Sequence, residues 1–244
     1  SLILTAGALL LFLWRREQVP GRLPPERMHR AIVSGARYAR HSPPIRTVLV
    51  RAFVFGAASA SIAALTPLVA RDLLNGDAKT FGLLLGANGV GAVIGALLIG
   101  QVRERLKGEH AVRLCASVAG LMVLVVGLSH NLLLTGAVML VAGAANMLLI
   151  SLFNVAVQLS APRWVTARAL SLFNASLTGG IALGAWLWGQ SAGEWGVGGA
   201  LVASGVLLIL TLLIGFVLPM PAVSLSEVEL VDIGHEPEVE LAIT

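Results

Sequence analysis

Along most of the chain, apolar residues come in runs of about 20, parted by short polar stretches. About 20 helical residues at 1.5 Å each cross a bilayer core of about 30 Å. On that ruler six complete spans are predicted: 47–70, 81–101, 112–129, 132–157, 169–192 and 200–218. A further apolar stretch, 2–14, is too short to cross and ends in Arg15-Arg16. A secretory leader carries its positive charge before the apolar run, not after it. The stretch reads as the tail of a truncated span, which would make the chain a piece of something longer, or as a processed or amphipathic anchor. The expected fold is an all-α, polytopic membrane protein. Residues 1–14 would be a truncated transmembrane helix, 15–46 a basic cytoplasmic linker, 47–218 a six-helix bundle and 219–244 an acidic cytoplasmic tail.

Polar residues sort the spans into two kinds. Spans 112–129 and 200–218 hold no Asn, Gln, Asp or Glu within their apolar runs. In 132–157, Asn146, Asn154 and the border residue Gln158 recur at multiples of four, with Ser151 between them. In 169–192, Ser171, Asn174 and Thr178 form an i, i+3, i+7 stripe, with Gln190 farther along, and Asn88 stands in a glycine-rich span. Polar groups in hydrocarbon face a protein interior or a wet cavity. They either hold neighbouring helices together, at about 0.6–2 kcal/mol each, or line a cavity. For Asn88 both readings stay open; aligned amides exceed what one helix contact needs. Asn88, Asn146, Ser151, Asn154, Gln158, Asn174 and Thr178 are therefore the candidate cavity residues. No Asp or Glu lies mid-span, so these helices alone cannot build a carboxylate proton relay. Arg51, near the start of its span, is expected to snorkel to lipid phosphates, the alternative being gating or attraction of an anionic substrate. Gly82, Gly86, Gly91 and Gly95, and Gly180 with Gly184, have the spacing that lets helix backbones approach closely, within this bundle or against a partner bundle. Pro67 is placed to kink its span.

Composition agrees. Hydrophobic residues make up 57% of the chain and charged residues 12%, against roughly 25% charged in a soluble domain. That excludes an ordinary soluble enzyme, a disordered chain and a nucleic-acid-binding domain, despite the net charge of +4. Of the 17 Lys and Arg residues, nine fall in 15–51, four in 103–113 and two at Arg163 and Arg168; only Arg71 and Lys79 fall on the other side. The positive-inside rule puts the basic segments and the C-terminus in the cytoplasm. Residues 26–39 read as an amphipathic helix on an anionic leaflet or as a solvated connector. The tail carries six acids and no Lys or Arg after residue 224. Cys115 is the single cysteine, and the five histidines are scattered, with no metal-binding spacing and no phosphate-binding loop. No enzyme activity, cofactor or metal is expected.

Three stretches and one loop carry a family resemblance. The loop Gly100-Gln101-Val102-Arg103-Glu104-Arg105 is similar to the G-x-L-x-[DE]-R signature of the major facilitator superfamily, departing from it at Leu106-Lys107-Gly108. The stretches are Arg37 to Pro43, Phe81 to Gly95, and Gln158 through Arg168-Ala169-Leu170-Ser171-Leu172 to Gly184-Ala185-Trp186-Leu187-Trp188-Gly189. Together they resemble the transmembrane-secretion-effector branch, which includes enterobactin exporters, over 31–218. Thr166-Ala167-Arg168 departs where the family often has Arg-Gly-Arg.

The resemblance implies the C-terminal half of a twelve-helix transporter. The first, second, fourth and fifth helices of each half would surround the cavity, and the third and sixth, here the two spans without amides, would be peripheral. It implies that Glu104 and Arg105 form a cytoplasmic gating latch, with Arg168 meeting the latch of the other half. It further implies a secondary active exporter (an antiporter) of small, partly apolar, siderophore- or drug-like molecules, working by alternating access and coupled to protons through a carboxylate of the other half. The implied partners are the lipid bilayer, an N-terminal six-helix half of the same transporter and a small-molecule substrate, with no nucleic acid; the implied location is the bacterial cytoplasmic (inner) membrane. An importer, or an inactive or scaffolding membrane fragment, are the alternatives.

Overall fold

The structure, a computed structural model, describes residue 5 and residues 42–106, 108–162 and 165–217. The expected truncated helix (residue 5 apart), amphipathic helix and acidic tail lie outside the described residues.

Helix α1, Pro43–Leu68, begins with prolines in its first turn, where their missing N–H groups cost no hydrogen bond. Pro67 lies near its end, and the chain continues as a π-helical segment, Val69–Leu73, closed by Leu74 N–H donating to the Val69 carbonyl at 3.1 Å. Helix α2, Ala78–Arg105, is capped by Asp77, whose carboxylate accepts from the backbone N–H groups of Thr80 and Lys79, each at 3.0 Å. These bonds, that of Thr80 first, hold the Asp77 carboxyl below the usual carboxylate range. Helix α3 is Gly108–Leu128, and α4, Leu132–Ser160, starts at Asn131, whose side chain caps Leu133 and Leu134. A last helical run, Thr166–Val217, is broken at Gly196, where φ 74° and ψ 165° belong to a region that only glycine enters freely. It is two helices: α5, 166–195, and α6, 197–217. Among the described residues there is no strand, and five helical runs, the last broken at Gly196, are long and apolar enough to cross a membrane. The break at Gly196 makes the last of them a sixth crossing. The fold is an all-α, polytopic membrane protein.

Glycine registers show how the helices run. Added Cβ atoms at Gly180 and Gly184 would strike the carbonyls of Phe53 and Ala57, so α1 and α5 cross in the same direction. At Gly91 and Gly95 they would strike the carbonyls of Leu140 and Ala144, so α2 and α4 are also parallel. Gly120 meets Gly205, and Gly127 meets Gly198, in falling order, so α3 and α6 are antiparallel. The Ser61 hydroxyl bonds that of Ser204, which also donates to the Ala58 carbonyl at 3.1 Å, tying α1 to α6 in the buried core. Swapping the first three helices with the last three maps the α1–α5 contact onto α4–α2 and leaves α3–α6 unchanged. That is the signature of an inverted repeat.

One expectation is corrected. Arg51 does not snorkel to lipid: its side chain is 5% exposed, and its guanidinium donates to both oxygens of Glu109, at 2.7 and 3.3 Å. A buried guanidinium needs a counter-charge more than it needs length, and α3 brings one.

Candidate functional site

The glycine-packed sides of α1 and α5 face each other, so the far side of α5 is open. Along it lie Ser171, Asn174 and Thr178, all exposed. Ser171 donates to the Ala167 carbonyl at 2.9 Å within its own helix, whereas the side chains of Asn174 and Thr178 hydrogen-bond nothing among the described residues. On α4, Gln158 is exposed and its amide donates to Asn154, one turn earlier, so these two form a pair. Ser151 is half-buried. The Asn154–Gln158 pair lies near the end of α4, and Ser171 and Asn174 lie near the start of α5. Both amide groups therefore sit at similar depth.

Asn146 does not share that face. Its Oδ1 is buried and has no partner, among buried neighbours on its own helix such as Ala142, Leu149 and Phe153. Spacing by fours drifts about 40° per step on a 3.6-residue helix, so two steps carry Asn154 well round from Asn146. Asn88 spends an amide N–H on the Met139 carbonyl at 3.3 Å and braces the α2–α4 crossing. Of the seven candidates, then, Gln158, Asn174 and Thr178 are exposed, Ser151 and Asn154 are half-buried, Asn146 keeps a buried oxygen without a partner, and Asn88 lies at a helix contact.

Glu104 and Arg105 are exposed at the end of α2, and Arg168 is half-buried in the first turn of α5. A denser charge cluster, missed in the sequence, lies beside them. Glu109 at the start of α3 accepts from Arg51 and from Arg113 (2.9 Å), and Arg113 donates to the Gly215 carbonyl of α6 at 3.2 Å. Gly215 admits the cluster because a Cβ there would strike the Glu109 carboxylate. A void of about 10 Å³ beside Arg51, lined also by Phe55, Leu149, Phe153 and Thr211, has room for one water at most. The cluster is a three-helix tie, not a binding pocket. The signal for it was the Glu109/Arg113 i, i+4 pair.

No group of three or more potential metal ligands occurs among the described residues. Helical crossings, an inverted repeat and an unpartnered polar face on one helix are compatible with a transport protein. The decisive comparison is with protein families: the family model described as transmembrane secretion effector matches residues 2–244. The chain belongs to the transmembrane secretion effector family. It is thus a multi-pass membrane protein of the major facilitator type, embedded in lipid, and its family is one of transporters rather than enzymes. No curated protein and no solved structure matches this chain.

Proposed function

We propose that the six helices are the C-terminal half of a twelve-helix exporter, and that the open faces of α4 and α5 form one wall of its substrate cavity. The observation that carries this reading is the unpartnered polar face of α5. Asn174 and Thr178 stand exposed on the side turned away from the helix packing, and lipid would leave them unsatisfied. A second six-helix half would supply the facing wall, and rocking of the halves about this site would move a small, partly apolar solute outward. Proton coupling fits the family and calls for a carboxylate in the other half. The excess of basic residues in one set of segments supports a cytoplasmic C-terminus, and a bacterial inner membrane fits the family. In that arrangement Glu104 and Arg105 would latch the cytoplasmic gate against the facing half, with Arg168 beside them.

The test is transport by the full-length protein. Replacing Asn154 and Gln158 by leucine removes two hydrogen-bonding amides, each worth about 1 kcal/mol to a bound solute. Export of a panel of amphipathic dyes, measured as lower cellular accumulation than in cells without the protein, should fall about thirtyfold, with membrane insertion unchanged. Unaltered export would remove both residues from the site; higher accumulation with the wild type would make the protein an importer.

A further inference from the structure

The two tryptophans of the Trp186-Leu187-Trp188 sequence point to opposite sides of α5. Trp188 is 8% exposed and its indole N–H donates to the Ala57 carbonyl of α1 at 2.8 Å. Trp186 is 61% exposed, and its N–H donates to nothing among the described residues. Its ring rises from a floor of small residues: Ala182 and Gly189, a turn to either side, are exposed, and a Cβ at Gly189 or at Gly193 would meet nothing within 4 Å.

An exposed tryptophan in a membrane helix usually anchors at the headgroups. Trp195 fits that role, since Glu194 and the break at Gly196 mark the end of the span. Trp186 lies nine residues, or about 13 Å, farther in, deep within a core of about 30 Å. An indole N–H at that depth is costly against lipid tails and calls for a polar partner.

The inverted repeat supplies an internal control. In the register that matches Gly180 and Gly184 to Gly91 and Gly95, Ser171, Asn174, Thr178 and Trp186 correspond to Gly82, Leu85, Gly89 and Leu97 on α2. All four α2 positions are exposed, Leu97 to 77%. The same architectural positions are filled once by residues with no polar side-chain atom and once by hydrogen-bonding ones. The fold itself therefore does not require polar groups there.

We infer that Trp186 is an aromatic platform for the transported solute, which carries a planar aromatic ring with a hydrogen-bond acceptor at its edge. The inference rests on the cavity reading above and adds the substrate class to it. The ring stacks on the indole while the acceptor meets its N–H. The substrate is thus an aromatic solute with a polar edge.

The test uses the full-length protein in lipid nanodiscs and two matched probes, 2-naphthol and its saturated counterpart decahydro-2-naphthol, with binding to empty nanodiscs subtracted. The wild type should hold the aromatic probe about threefold to tenfold more tightly. Trp186→Ala should abolish that preference, Trp186→Phe should keep part of it, and Leu97→Ala should leave it unchanged. A wild type without the preference, or a preference that survives Trp186→Ala, overturns the inference. So does equal weakening of both probes in Trp186→Ala, which would assign the ring to packing. Aqueous thiol labelling of an Asn174→Cys, Cys115→Ser protein separates the two levels. Labelling there without aromatic preference sinks the role of Trp186 alone, whereas a sealed position 174 sinks the cavity reading and this inference together.

Discussion

Glu109 shows how one carboxylate can organise three helices. It accepts from Arg51 of α1 and Arg113 of α3, and Arg113 passes the tie to the backbone of α6. With its own side chain 17% exposed, the pair with Arg51 is shielded enough that losing one partner strands the other. Glu109→Gln should destabilise the protein by about 3 kcal/mol, because the Arg51 charge stays buried without its counter-ion. The fully exposed Glu104→Gln should shift stability by under about 0.5 kcal/mol. Thermal unfolding of the two purified variants in one detergent checks both values, and equal midpoints would dismiss the tie. Little of this was legible beforehand. Arg51 stood out as a charge inside a span, but its partner is 58 positions away and outside any predicted span, so no local spacing joins them. Asn146 parts from Asn154 for a different reason: a repeat of four residues is not a repeat of the helix, and the offset grows with each turn.

At the scale of the elements, hydropathy placed the crossings well and their ends poorly. The predicted span 81–101 lies inside Ala78–Arg105, because the Asp77 cap rather than the first apolar residue starts the helix. At α4 the two coincide, because Leu132, the first apolar residue, directly follows the Asn131 cap. The boundary between α5 and α6 could be read from the weak hydropathy around Glu194 to Gly199, even though the backbone turns there at a single residue. Glycine spacing marked the close approaches but not their partners. Gly91 and Gly95 press on α4, while Gly82 and Gly86 touch nothing within 4 Å. This division predicts opposite outcomes for one chemical change. Gly91→Ala should cost about 1–3 kcal/mol through overpacking against the Leu140 carbonyl, whereas Gly86→Ala should be neutral or slightly stabilising through its better helix propensity. Unfolding midpoints of the two variants decide it, and equal losses would mean that the α2–α4 contact is not as close as described.

For the whole molecule, the direction of every helix follows from contacts alone: α1, α3 and α5 run one way, and α2, α4 and α6 the other. Charge supports the proposed orientation: Arg46 and Arg51 of α1, Arg103 and Arg105 at the end of α2, Arg113 near the start of α3 and Arg168 near the start of α5 lie at the end where α1 begins. Alkaline phosphatase joined after Gly76 should therefore be active outside the cell, and a fluorescent protein joined after Thr244 should glow inside it. The reverse result would invert the assigned orientation. The return at Gly196 has a mechanical consequence. With one residue joining α5 to α6, no slack separates them, so a tilt of the Asn174 face is imposed on α6 and, through the Ser204–Ser61 hydroxyls, on α1. Under the proposed alternating access the three helices would swing as a single lever with its fulcrum at residue 196, and a solute leaning on one of them would move all three.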